Sequence, residues 1–171
     1  MSGKAKVVDT NVPLVANGQH SDVSPECVAE CALALQEIMR KGRIALDDSF
    51  RILTEYQNKT TPRKGNRPGD AFIKWALQNN ANAAKCDLVK LREHPKRKFE
   101  SFPDDNELEG FDLSDRVFVA VAAAHSEKPE IFQAADSKWL DWAIPLERHD
   151  IQVTFVCRED IERFHRKKFG T

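Results

Sequence analysis

Four acidic residues stand where a carboxylate could do chemistry: Asp9, Glu55, Asp115 and Asp136. Asp9 closes the β-branched run Lys6-Val7-Val8 and is followed by Thr10 and Asn11. Glu55 falls on the helix expected after the second strand. Asp115 opens an alanine-rich apolar helix, and Asp136 ends a later strand. In an open α/β sheet, ligands bind beyond the carboxyl ends of the strands, so these four positions should converge on one edge. Four carboxylates there repel one another unless cations neutralise them. Hard divalent cations take oxygen ligands, and Mg²⁺ in particular takes a few carboxylates plus waters. Such a cluster suits metal-assisted phosphodiester hydrolysis, with water as the nucleophile. Each acid also has a structural reading. Asp9 could end a strand and bond its turn, Glu55 could sit on a solvated face, and Asp112 with Asp115 could cap a helix start, as Asp136 could before its own helix.

The elements that must hold these residues follow from pattern. Ser24-Pro25-Glu26 reads as a helix start, with Ser24 as N-cap, and Gly42 ends that helix. Arg43-Ile44-Ala45-Leu46 is a short apolar strand, and Asp47 and Asp48 cap the helix carrying Phe50, Ile52, Leu53 and Tyr56. Thr60 to Gly69 is a loop, followed by an amphipathic helix with Phe72, Ile73 and Trp75. Cys86 to Leu91 alternates weakly, as a strand would, though a helix is the other reading. Glu93 to Gly110 is polar throughout and reads as a long, charged surface loop of the functional or mobile kind. Val117 to Ala124 is a buried helix. Ile131 to Ala135 is a strand, Ser137 to Leu146 a helix, Ile151 to Val156 the last strand and Arg158 to Lys168 a terminal helix. Strands alternating with helices imply a parallel sheet with helices on both faces. No repeat or linker divides residues 1–171, so one domain is expected.

The totals exclude more than they assign. The net charge of −1 gives no global field for a nucleic acid, so any anionic partner must meet a local patch. Two loops supply one: Arg63, Lys64 and Arg67, and then Lys96, Arg97 and Lys98, where Phe99 and Phe102 could stack a base. A basic run, Arg163 to Lys168, ends the chain. No apolar run is long enough for a bilayer, and the N-terminus has no h-region, so no signal peptide and a cytoplasmic protein are expected. Cys27, Cys31, Cys86 and Cys157 read as reduced thiols filling packing positions; a zinc site or redox pair is the alternative.

The motifs, taken in order, resemble those of PIN-domain nucleases. Val7-Val8-Asp9-Thr10-Asn11 looks like the family's opening signature, and Ile52-Leu53-Thr54-Glu55-Tyr56 like its second acidic position. Asp112-Leu113-Ser114-Asp115-Arg116-Val117, ahead of an alanine-rich helix, resembles the third. Ala135-Asp136-Ser137-Lys138-Trp139-Leu140 resembles the fourth. The resemblance covers most of the chain. It implies a three-layer α/β/α fold with a mostly parallel sheet of about five strands. The implied activity is Mg²⁺- or Mn²⁺-dependent cleavage of nucleic acid, RNA more than DNA. By the same match Asp9, Glu55, Asp115 and Asp136 bind the metal, and Asn11 is an accessory group that orients a carboxylate or a water. Relatives of the toxin type imply a homodimer and a regulatory protein partner; a defence or processing role fits the same motifs. Three departures stand out. Ala134 replaces a hydroxyl residue common two positions before the fourth acid, the Glu93–Gly110 segment is longer than in compact toxin members, and Asp141 offers itself as a substitute fourth acid. Asn11 argues against haloacid-dehalogenase-type phosphatases, which need an Asp there. The alternatives are a catalytically silent PIN-like module that binds RNA or protein, and a DNA-directed nuclease effector.

Overall fold

A computed structural model describes residues 3–169. Met1 and Ser2, part of the N-terminal stretch expected to lack a signal peptide, lie outside the described residues, as do Gly170 and Thr171. The chain runs β1 (Ala5–Val8), α1 (Asn11–Ala16), α2 (Pro25–Lys41), β2 (Arg43–Asp47), α3 (Arg51–Lys59), α4 (Pro68–Asn79) and β3 (Cys86–Val89). A two-stranded hairpin follows, β4 (Glu93–His94) and β5 (Lys98–Phe99). Then come 3₁₀ turns at Asn106–Leu108 and Leu113–Asp115, α5 (Arg116–Ala124), β6 (Ile131–Gln133), α6 (Lys138–Glu147), β7 (Val153–Phe155) and α7 (Arg158–Phe169).

The central sheet has the order β3-β2-β1-β6-β7, and every pairing in it is parallel. This is the three-layer α/β/α architecture expected from the alternation of elements. Strands covered on both faces read as nearly continuous apolar runs, and Val7, Ile44, Leu46 and Ile131 are fully buried. The chain winds outward from β1 to β3, returns through α5, and continues on the other side of β1 with β6. The strand order therefore reverses between β1 and β6, and a ligand crevice is expected beyond their carboxyl ends. Asp9 follows one of these strands and Asp136 the other.

Local chemistry sets the boundaries. Ser24 accepts a hydrogen bond from the Cys27 N–H at the start of α2, with Pro25 in the first turn. The buried Asp47 accepts from the Arg51 and Ile52 N–H groups at 2.9 and 3.0 Å, so it caps α3 as expected while Asp48 stays exposed. Asn17 and the buried Asp70 lock α1 to α4: Asn17 Nδ2 donates to Asp70, and Asn17 Oδ1 accepts from the Gly69 and Asp70 N–H groups.

Two expectations are corrected. The Glu93–Gly110 segment is not an open, mobile loop. Phe99, Phe102, Leu108 and Phe111 are buried, and Phe102 meets Phe111 edge-on. Three apolar side chains spread thinly through this polar segment, with Phe111 just after it, make a satellite core that an average over the segment conceals. Arg116 completes it: its buried guanidinium lies 4.4 Å from the centre of the Phe102 ring and donates to the carbonyls of Arg97, Leu108, Glu109 and Phe111. Phe99 and Phe102 therefore cannot stack a base. The cysteines are not all reduced either. Cys27 and Cys157 form a disulfide across 130 residues, joining α2 to the start of α7, while Cys31 and Cys86 are free and buried. No sequence spacing marks a pair so distant. A disulfide is a bond that persists in oxidising surroundings and is rare in the cytosol. Among the described residues no helix is long and apolar enough to cross a membrane.

Gly69 lies directly against the backbone of α1. A Cβ there would run into the Pro13 carbonyl oxygen and sit 2.7 Å from Asn17 Oδ1. Gly69→Ala must push α4 away from α1, an overpacking that costs about 1–3 kcal/mol. The expected outcome is a melting temperature lower by roughly 2–10 °C, read by calorimetry; an unchanged value would contradict the locking role given to this contact.

Candidate metal centre

The candidate centre is assembled at the reversal of strand order. Asp9 leaves β1 with only 6% of its surface exposed. Its Oδ2 accepts the Asn11 N–H at 2.9 Å, and its own N–H donates to the Phe132 carbonyl on β6. Asn11 then ties the two strand ends together, since its side-chain Oδ1 accepts the Ala135 N–H at 2.7 Å. Its role is thus to position: the backbone N–H orients the Asp9 carboxylate, and the amide oxygen is spent on the turn that carries Asp136. Gln133, fully buried, holds the same turn through Oε1, which accepts from Ala134 at 2.9 Å and Asp136 at 3.4 Å. Ala134 is buried, and the turn is held by this amide where a hydroxyl was expected.

Tyr56 places the second acid. Its buried hydroxyl donates to the Val8 carbonyl, drawing α3 against the end of β1. The adjacent Glu55 is thereby brought near enough to act on both Asp9 and Asp115. The Thr10 hydroxyl lies beside Glu55 and favours its charged form, yet it reaches hydrogen-bond geometry with no group among the described residues. It is a buried oxygen next to the acids.

The tightest grouping is Asp112, Asp115 and Asp136, which offer carboxylate oxygens all within 4.8 Å of one another. Asp115 and Asp136 were expected to meet. Asp112 was read only as a helix cap, and the structure corrects that. Neither Asp112 nor Asp115 makes a side-chain cap bond, although each occupies the N-cap position of the turn or helix that follows. Both carboxylates are turned to the cluster instead. Lys138 also escaped the sequence reading. Its ammonium donates to Asp112 at 2.6 Å and acts on Asp115 and Asp136. The available signals were Asp112 three residues before Asp115 and Lys138 two residues after Asp136. Asp9 and Glu55 lie outside the trio of oxygens and reach it through the field. Asp141, the candidate substitute, is turned away to His165.

Electrostatics reports the crowding. Burial first, and then Asp115, Glu55 and Asp136, hold the Asp9 carboxyl well above the usual carboxylate range, against the opposing Asn11 N–H. Glu55 is raised chiefly by burial, while Lys59 and Lys98 pull it down. Asp115 is pushed up to about 6 by burial and by Asp136, Glu55 and Asp112, with Lys138 opposing. Like charge gathered in a partly dry site is what a divalent cation relieves. The donor set is all oxygen, so these residues fit a hard cation.

The basic residues divide. Arg67 pairs with Asp70 and the Thr61 hydroxyl, and Arg97 donates to the Phe102 and Glu100 carbonyls. Arg63, Lys64 and Lys96 are exposed. Lys98 donates to the Leu113 carbonyl and is felt by Glu55. No protein-family model, characterised protein or solved structure matches the chain.

The raised Asp115 sets a sign for pH. Its folded pKa of about 6 lies above an unfolded value of about 3.9, so the folded state binds the proton more tightly and is penalised as that proton leaves. The penalty is absent below about pH 4, grows to about pH 6 and is then constant. Asp115→Asn is therefore expected to gain stability relative to wild type over that window, measured by denaturant unfolding in EDTA. Excess Mg²⁺ should shrink the gain by binding the folded wild type more tightly. A difference that is flat from pH 4 to 7 would refute the crowding.

Proposed function

We propose that this protein is a metal-dependent nuclease that hydrolyses phosphodiester bonds, in RNA more than in DNA. One observation carries the reading: Asp112, Asp115 and Asp136 present oxygens within 4.8 Å of one another at the strand-order reversal, beside the buried Asp9. The ordered resemblance of the motifs around Asp9, Glu55, Asp115 and Asp136 to PIN-domain nucleases supports it.

In this reading Asp112, Asp115 and Asp136 hold the cation, with Asp9 and Glu55 adding negative charge behind them. Mg²⁺ or Mn²⁺, when bound, supplies Lewis-acid charge for the phosphoryl oxygens and acidifies water. The chain's own residues supply position. Asn11 fixes the Asp9 carboxylate and the Asp136 turn together. Tyr56 fixes the helix that carries Glu55. Carboxylate oxygens left over from the cation accept hydrogen bonds from the attacking water and orient it. Lys138 sets an ammonium beside the cluster, where it faces the charge that grows on the phosphate. Asp9 and Asp115 can give up their protons as the cation arrives, which makes metal affinity rise with pH.

A second reading, a silent module that binds RNA without cutting it, is favoured by Lys138, which already supplies the cluster with a protein cation. One assay separates the two. Labelled RNA and DNA are incubated with wild type and with Asp9→Asn, in Mg²⁺, Mn²⁺ or EDTA. Expected are cleavage by wild type with either metal, its loss in EDTA, and a fall of about a hundredfold or more in Asp9→Asn. Equal cleavage by both proteins would sink the assignment of the site. Undiminished RNA binding with no cleavage under any condition would establish the silent module.

A further inference from the structure

The hairpin of β4 and β5, unexpected from sequence, forms one wall of a cleft of about 650 Å³. Leu113, from the 3₁₀ turn between Asp112 and Asp115, and Arg51, at the start of α3, line its other side. Three of its lining residues are cationic, Arg51, Lys96 and Lys98, and one is acidic, Glu93, which Arg51 already neutralises at 3.0 Å.

The cations are placed by built features. The buried Phe99 ring carries two of them: the Arg51 guanidinium at 5.3 Å and the Lys98 ammonium at 5.8 Å from its centre. Lys98 has φ 76°, a left-handed conformation that disfavours a lysine, and strain of this kind gathers at functional sites. Its ammonium is fastened to the carbonyl of Leu113, the residue that joins this cleft to Asp112 and Asp115 along the chain. Leu113 itself is 62% exposed, an apolar face between the cations and the acids. The neighbouring cleft on the hairpin's other side has no such bias. Lys96 borders it as well, but Asp104, Asp105 and Glu109 line it, and its Arg97 and Arg116 donate to backbone carbonyls.

We propose that the cleft between this hairpin and Leu113 is the channel for single-stranded nucleic acid: Lys96 and Lys98 hold the phosphates beside the reacting one, and Leu113 packs against a base. The proposal rests on the nuclease reading for what happens to the strand, but not for its binding. A duplex hides its base faces, and the exposed Leu113 can pack only against a base that is free of a stack, which is why the occupant is single-stranded.

The test is anisotropy of short labelled oligonucleotides in EDTA, over a salt series, on whichever of RNA or DNA binds more tightly. Lys96→Ala with Lys98→Asn removes two cations, and asparagine tolerates the left-handed backbone. Expected is a loss of about tenfold in single-strand affinity, with the salt slope smaller by about 1.4. Lys96→Ala alone, at an exposed position free of any folding penalty, should lower the slope by about 0.7. Arg40→Ala with Lys41→Ala, an equal charge change on α2, should leave both unchanged. Unaltered affinity and slope in the cleft variants would overturn the proposal, as would tighter binding of duplex than of single strand. If wild type cleaves nothing yet the cleft variants lose binding, the channel stands and the hydrolytic reading falls. If wild type cleaves and the cleft variants bind as well as it does, the channel falls and the carboxylate assignment stands.

Discussion

Carboxylates of one sign are gathered at the carboxyl edge of a dry sheet, and the rest of this structure is arranged around tolerating that. Asp9 is nearly enclosed, and its neighbours Asp115, Glu55 and Asp136 all raise the cost of ionising it. Such a charge persists where hydrogen bonds or counter-charges compensate it. Here the compensation is partial. The Asn11 N–H serves Asp9, while Lys138, Lys98 and Lys59 oppose the repulsion from outside. What is left over is uncompensated repulsion, which holds Asp9 and Asp115 above the ordinary carboxylate range.

The scaffold holds this arrangement by ties between elements distant in sequence. Asn11 bonds Ala135, Tyr56 bonds Val8, and Lys138 bonds Asp112. Each tie spans the reversal of strand order or closes a helix onto it, which is where an open parallel sheet has room for a ligand. Arg116 does the same on a larger scale. One residue after Asp115, its guanidinium gathers four carbonyls of the 97–111 segment and so fixes the hairpin beside the acids. A buried cation satisfied by carbonyls gives an otherwise polar segment a definite shape.

The far side of the molecule is stapled differently. The Cys27–Cys157 bond fixes the start of α7 to α2, and Asp160 adds hydrogen bonds to the Ser24 N–H and hydroxyl. Cys31 Sγ lies 3.6 Å from Cys157 Sγ, but burial, with Glu30 and Asp160 nearby, pushes its thiol up to about 12. The thiolate needed to exchange with the bond is thereby suppressed.

Much of this was legible in the amino-acid order. Alternating apolar runs and amphipathic stretches announced the parallel sheet, and Ser24, Gly42 and Asp47 marked helix ends, because periodicity and capping act within a few residues. The order of Asp9, Glu55, Asp115 and Asp136 pointed to one sheet edge for the same reason: a strand end is a local feature. Only the tertiary structure decided which acids meet most closely, and it chose Asp112 over a capping role. It also decided that Phe99 and Phe102 are core, that Arg67 pairs with Asp70 while Arg97 serves backbone carbonyls, and that Cys27 finds Cys157. Each of these turns on a partner that folding brings near, at a distance along the chain from three residues for Arg67 and Asp70 to 130 for the disulfide. Local sequence states what a side chain can do; which of its competing partners it takes is settled by the contacts that packing makes available.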